Sequence, residues 1–222
     1  MSYFGSSFQQ FWSRCGEGNI HPDDALFFKA ERALAGEVVA GRSRRAANFE
    51  TEQYLPCPFD GPIDKAKVII CLANPNYTNL DARSVNGIVT GQRCGIADLP
   101  MEWDAYYQPR FGNPIGIGMS DLRGQLAILN LCPYSSPYLD GAETRLAVGL
   151  PSVWAAQKHF REVLVPLAMA GEIYIVVGRK HQLWGVHEGL RSPNIAVTRE
   201  NAISGHLGQD LGKGIRNWLE RG

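Results

Sequence analysis

The side chains best suited to hold and polarise a small polar ligand gather just after short apolar runs. Asn74-Pro75-Asn76-Tyr77 follows KVIICLA, and Asn130 closes LAILN and leads into Cys132-Pro133-Tyr134-Ser135-Ser136. Arg179-Lys180-His181 follows EIYIVVG, and Glu200-Asn201-Ala202-Ile203-Ser204-Gly205-His206 follows NIAVTR. An Asn side chain both donates and accepts hydrogen bonds, so these groups fit a ligand whose edge presents donors and acceptors together. No carboxylate pair, glycine-rich phosphate loop or Ser-His-Asp order competes with them.

The elements that must position these residues follow from the apolar pattern. Lys67–Ala73, Gln125–Leu131, Glu172–Gly178 and Asn194–Arg199 lack clean alternation, as strands of a parallel sheet do when both faces are covered. Val153, Ala156, Phe160, Val163, Leu164 and Leu167 recur at helical spacing and predict a helix over Pro151–Ala170. Further helices are expected over Lys180–Leu190, Leu207–Glu220 and, upstream, Asp23–Gly36 behind a His21-Pro22-Asp23 start. This order predicts an α/β fold, a three-layer sandwich with a central four-stranded parallel sheet flanked by helices. Ligands then bind beyond the carboxyl ends of the strands, where the polar clusters lie. Residues 1–222 read as one domain with a helical N-terminal extension over about 1–50. Asn76–Gly124 is a long turn-rich connection carrying Tyr77, Trp103, Tyr106, Tyr107 and Phe111, and loops of that length and aromatic content are usually functional.

Composition excludes several classes. With 45% hydrophobic and 20% charged residues the chain is not mostly disordered, and 24 Gly with 13 Pro imply many turns. Lys+Arg and Asp+Glu are both 22, so no global charge announces a nucleic acid, although a local patch can still steer one. Arg42, Arg44 and Arg45 read as a solvated loop. Cys15, Cys57, Cys71, Cys94 and Cys132 form no C-x-x-C pair and read as buried free thiols, with no metal site expected. No apolar run reaches membrane-spanning length and the N-terminus lacks a signal layout, so a cytoplasmic protein with no membrane partner and no obligate protein partner is expected.

In four places the chain resembles the uracil-DNA glycosylase superfamily. LANPNY resembles its first motif, closest to members with an Asn-Pro pair, and LAILN resembles the second strand, whose terminal Asn reads the flipped base. IYIVVGRKHQLWGV resembles the third strand and its following helix. IAVTRENAISGHLG stands in the place of the second motif, and the resemblance spans roughly residues 55 to 222. It implies a monofunctional, cofactor-free enzyme that flips a nucleotide out of DNA and hydrolyses its glycosidic bond. Asn74 would position the attacking water through its side-chain carbonyl, and Asn130 would read the base edge. Ser135, Ser204 and the backbone around Gly205 would hold flanking phosphates, and Ile203 would fill the vacated stack.

This sequence also departs from the family pattern. The second motif lacks its usual His-Pro-Ser, so either Asn201 or His206 would donate to the base. The usual aromatic stacking residue is replaced by Gly87-Ile88-Val89, leaving Trp103, Tyr106, Tyr107 or Phe111 as substitutes, beside Tyr77. Asn76 stands where strict uracil enzymes carry a Tyr against the C5 edge, which implies room for a C5 substituent. The family includes antiviral members that excise glucosylated 5-hydroxymethylcytosine from phage DNA. The expectation is excision of such a bulky 5-substituted cytosine, leaving an abasic site. The alternatives are a repair glycosylase for uracil or mismatched thymine, or a glycosylase-like nucleic-acid binder without turnover.

Overall fold

A computed structural model of the chain describes residues 6–39, 42–43, 45–77, 79–93, 97–178, 180–187, 192–198 and 206–221. Strands β1 (Val38–Val39) and β2 (Arg42–Ser43) pair as a small antiparallel hairpin. The main sheet contains β3 (Phe59–Asp60), β4 (Val68–Leu72), β5 (Leu126–Asn130), β6 (Tyr174–Val177) and β7 (Ile195–Val197), in the order β3-β5-β4-β6-β7. The last four run parallel and fall inside the four apolar runs, whereas β3 pairs antiparallel with β5 at the edge. The sheet is therefore five-stranded rather than four-stranded. Two residues between prolines and a glycine are too short for a hydrophobic pattern to mark.

Both sheet faces are covered, which is why the strands are apolar throughout. Ile69, Cys71, Ala127, Leu129, Ile175 and Val177 face Phe8, Trp12 and Phe28 from the N-terminal helices and Val153, Phe160 and Leu164 from the helical stretch that begins at Pro151. Residues before 50 thus contribute to the main core. Asp24 fastens them: its carboxylate accepts from the Tyr134 hydroxyl at 2.6 Å and from the Ser152 amide at 3.0 Å, in the first turn of the Pro151–His159 helix. There an acceptor satisfies an otherwise orphaned helix N–H. That helix continues through a π turn over Phe160–Leu164 into Val165–Met169, accommodating Pro166, which has no amide hydrogen to give. Buried His159 stacks on Phe8 at 4.6 Å, and burial lowers its pKa to about 4, so the ring is neutral.

On the other face Val68, Ile70, Leu126, Ile128 and Val176 meet Tyr107, Phe111, Ile115, Leu122 and Ile215. The helix Gln209–Leu219 lies against Asn113–Ile115. A Cβ on Gly212 would stand 2.1 Å from the Pro114 carbonyl oxygen. A backbone carbonyl cannot yield as a flexible side chain can, so Gly212→Ala should destabilise the fold by about 3 kcal/mol through overpacking. Thermal melting checks this; an unchanged melting temperature would mean that the helix sits farther from Pro114.

The expected helix over Lys180–Leu190 is a single 3-10 turn, His181–Trp184, ended by Gly185 in the left-handed conformation at φ 77°. Residues 188–191 lie outside the described part. Among the described residues no helix is long and apolar enough to cross a membrane.

Candidate active site

Backbone pairing continues beyond the carboxyl ends of β4 and β5. Leu131 donates to Leu72 and Cys132 to Ala73, both at 2.9 Å, and Ser136 donates to Pro75 at 3.2 Å. A third segment joins them, with Cys57 donating to Pro133 at 2.8 Å and Glu50 to Ser135 at 2.9 Å. Three stretches of chain are thereby fastened together at the rim where open α/β sheets hold ligands.

Asn74 is half-buried in this rim. Its Nδ2 donates to the carbonyls of Pro75 at 2.8 Å and Ser136 at 2.9 Å, and to the Ser136 hydroxyl at 3.1 Å. Carbonyl oxygens only accept, so the amide nitrogen must be the end that faces them, and Oδ1 remains as the acceptor. The loop is braced from below by Ser135, whose Oγ accepts from the Tyr77 amide at 3.1 Å and donates to Glu50 at 2.7 Å. Ser135 is buried with its hydroxyl engaged on both sides. Its one hydroxyl hydrogen is given to Glu50, so it braces the Asn74 loop and has none to donate to a phosphate.

Asn130 ends β5 opposite Leu72 in the parallel register. Its backbone donates to Pro58 at 2.9 Å and its Nδ2 to Cys57 at 3.0 Å, while its buried Oδ1 has no hydrogen-bond partner. A buried acceptor without a partner costs about 1–3 kcal/mol, so its place in a polar site calls for a donor from a ligand or from water. Neither a family model, a curated protein nor a solved structure matches the chain. The chemistry of the site is accordingly read from its own geometry.

Beside Asn130 lies a buried polar cluster. Asp60 sits opposite Ile128, so it shares a sheet face with Asn130 two residues farther along β5. The Cys57 thiol donates to Asp60 Oδ1 at 3.3 Å and the Tyr107 hydroxyl to Oδ2 at 3.2 Å. The Tyr77 hydroxyl lies beside the Cys57 thiol without a well-directed hydrogen bond. Burial raises the Asp60 pKa to about 7, opposed only in part by those two hydrogen bonds. Burial, with the Asp60 charge adding to it, also holds the Cys57 thiol and both tyrosine hydroxyls well above their ordinary values.

The aromatic residues of the long connection form a chain of rings over this cluster. Tyr77 is 5.7 Å from Trp103, Trp103 is 6.0 Å from Tyr107, and Tyr107 stacks on Phe111 at 5.4 Å. Phe111 is fully buried in the core, so it cannot stack on a base; it supports Tyr107 instead. Tyr106 is exposed and covered on one face by Arg110 at 3.6 Å. Trp103 is only partly buried, and lies between the two tyrosines. The structure thus brings Asn74, Tyr77, Asn130 and Tyr107 to one end of the sheet. Asn76 is exposed at the rim, and His206 is half-buried next to Leu207, whose amide donates to Arg110 at 3.0 Å. Asn201, Ile203, Ser204 and Gly205 lie outside the described residues. Asp60 and Cys57 belong to the site without having been expected there, whereas Ser136 comes from the polar run after the second strand. The one signal for Asp60 was an isolated acid set among Pro, Phe and Gly in PCPFDGP, which reads equally as a turn.

Proposed function

We propose that the protein is a monofunctional DNA glycosylase that flips a modified pyrimidine out of DNA and hydrolyses its glycosidic bond, leaving an abasic site. The observation that carries this reading is Asn74, whose amide nitrogen is held by the carbonyls of Pro75 and Ser136. Oδ1 is then fixed as an acceptor able to orient a water for attack on the sugar. An amide takes up no proton, so base assistance is weak. Most of the barrier must be lowered by stabilising the sugar cation and the departing base. Asn130 supports the reading from the other side: its partnerless Oδ1 accepts from an amino or imino N–H of the flipped base. Trp103, partly buried between Tyr77 and Tyr107, offers a ring for the base face.

The preferred base in this reading is a bulky 5-substituted cytosine such as glucosylated 5-hydroxymethylcytosine. Asn76 is a small exposed side chain at the position that would close the C5 edge, so a sugar there can extend into solvent. Asn76→Tyr should lower excision of the glucosylated base at least tenfold, because a ring in the path of the substituent costs more than ordinary overpacking. The test incubates wild type and variant with DNAs carrying uracil, mismatched thymine, 5-hydroxymethylcytosine or its glucosylated form, followed by alkaline cleavage at abasic sites. Undiminished excision of the glucosylated base by the variant removes Asn76 from the C5 edge. Wild-type activity confined to uracil or mismatched thymine replaces the modified-base reading with a repair reading.

A further inference from the structure

The glycosylase reading leaves the buried acid Asp60 without a task, although it stands at the centre of the polar cluster. Asp60 and Asn130 are diagonal neighbours across β3 and β5, a relation that places such residues about 7–8 Å apart. The segment that carries Asp60 also clamps Asn130 twice, through the Pro58 and Cys57 carbonyls. Tyr107 is tied to the same carboxyl group. We propose that Asp60 tunes excision through its proton: as a neutral acid it lets negative charge develop on the base beside Asn130, and as a carboxylate it opposes the departing base. This inference rests on the glycosylase reading and assigns a control to that same site.

A base leaving by glycosidic cleavage takes the bond's electron pair and becomes negative. A carboxylate buried beside Asn130 repels that charge through a medium of low dielectric, whereas the neutral acid does not. Among the described groups that face Asp60 no cation touches it; the nearest positive charge felt in the cluster is Arg93, which acts on the Cys57 thiol. The loop before β3 supplies the Cys57 thiol, the Asp104–Tyr107 helix supplies the Tyr107 hydroxyl, and the rim loop supplies the Tyr77 hydroxyl. Strand β5 supplies Ile128 and Asn130. The Ala82–Gln92 helix supplies Gln92, which bonds the Gly61 amide, and the Arg93 guanidinium just beyond is engaged by the carbonyls of Gly16 and Pro56.

With the Asp60 pKa at about 7, the neutral fraction falls across the physiological range. The single-turnover excision rate of the wild type should drop about tenfold between pH 6 and pH 8, following that titration. Asp60→Asn, similar in shape but without a proton to lose, should give a flat profile at unchanged DNA affinity. Tyr107→Phe removes a hydrogen bond that favours the carboxylate, so its inflection should move to higher pH. A purely structural Asp60 would change rates without moving an inflection. Rates are measured on full-length protein with the DNA that the wild type cleaves, alongside thermal melts and fluorescence anisotropy for DNA affinity. A wild-type profile that is flat, or an inflection that survives in Asp60→Asn, overturns the inference while leaving the glycosylase reading intact. Absence of excision on every DNA overturns both.

Discussion

Asn74→Ala should lower the single-turnover rate of base excision by about 10²–10³-fold, the loss associated with removing one positioned polar group from a transition state. DNA affinity should change little, because affinity comes chiefly from phosphate contacts elsewhere. The geometry also says why the residue is an amide. Asp at this position would turn a carboxylate oxygen toward the carbonyls of Pro75 and Ser136, two acceptors that the present Nδ2 satisfies. Asn74→Asp should therefore disturb the rim loop rather than supply a better base. Comparing rates and affinities for wild type and Asn74→Ala decides the matter. Turnover within a few-fold of wild type would exclude Asn74 from the mechanism.

A second large effect concerns stability and pH. The Asp60 pKa is about 7 in the folded protein against an ordinary 3.8, so the folded state binds the proton more tightly than the unfolded chain. Stability from this group is fully present below about pH 4 and is lost as the pH rises toward 7; above that the loss is complete, at about 4 kcal/mol. Asp60→Asn removes the ionisation. At pH 8 the variant should melt at a higher temperature than the wild type, and the difference should shrink steadily toward pH 5. Parallel melts across that range measure it, and a difference independent of pH would show that Asp60 is not a buried titrating acid.

The parts of the fold legible in sequence were those with a strong periodic signal. The four parallel strands appear within the apolar runs, and the helices from Pro151 and near Leu207 appear where the 3.6-residue spacing places them. Strand β3 carried no such signal, because pairing in so short an edge strand is decided by the partner strand and not by its own pattern. The helix expected over Lys180–Leu190 is cut short because Gly185 adopts a positive φ that a helix cannot continue through.

The site was legible where residue type alone restricts chemistry. Asn74 and Asn130 stand out because amides at strand ends both donate and accept hydrogen bonds, although Asn there also serves turns and strand caps. The brace by Ser135 and Ser136 and the cluster around Asp60 arise from contacts between segments far apart in the chain, such as Tyr107 with Asp60 and Asn74 with Ser136. No local pattern encodes those. Phe111 shows the converse: an aromatic ring in a functional-looking connection can belong wholly to the core.

Breaking a glycosidic bond releases one free base for every abasic site formed. The most direct measurement is mass-spectrometric detection of the free base, together with abasic sites counted in the same DNA, after incubation with DNA containing glucosylated 5-hydroxymethylcytosine. Wild type should yield free base and abasic sites in equal amounts, and Asn74→Ala should lose both by about 10²-fold or more. DNA that is bound but returned intact, with no free base from this or any of the other test DNAs, would contradict it and mark the protein as a binder.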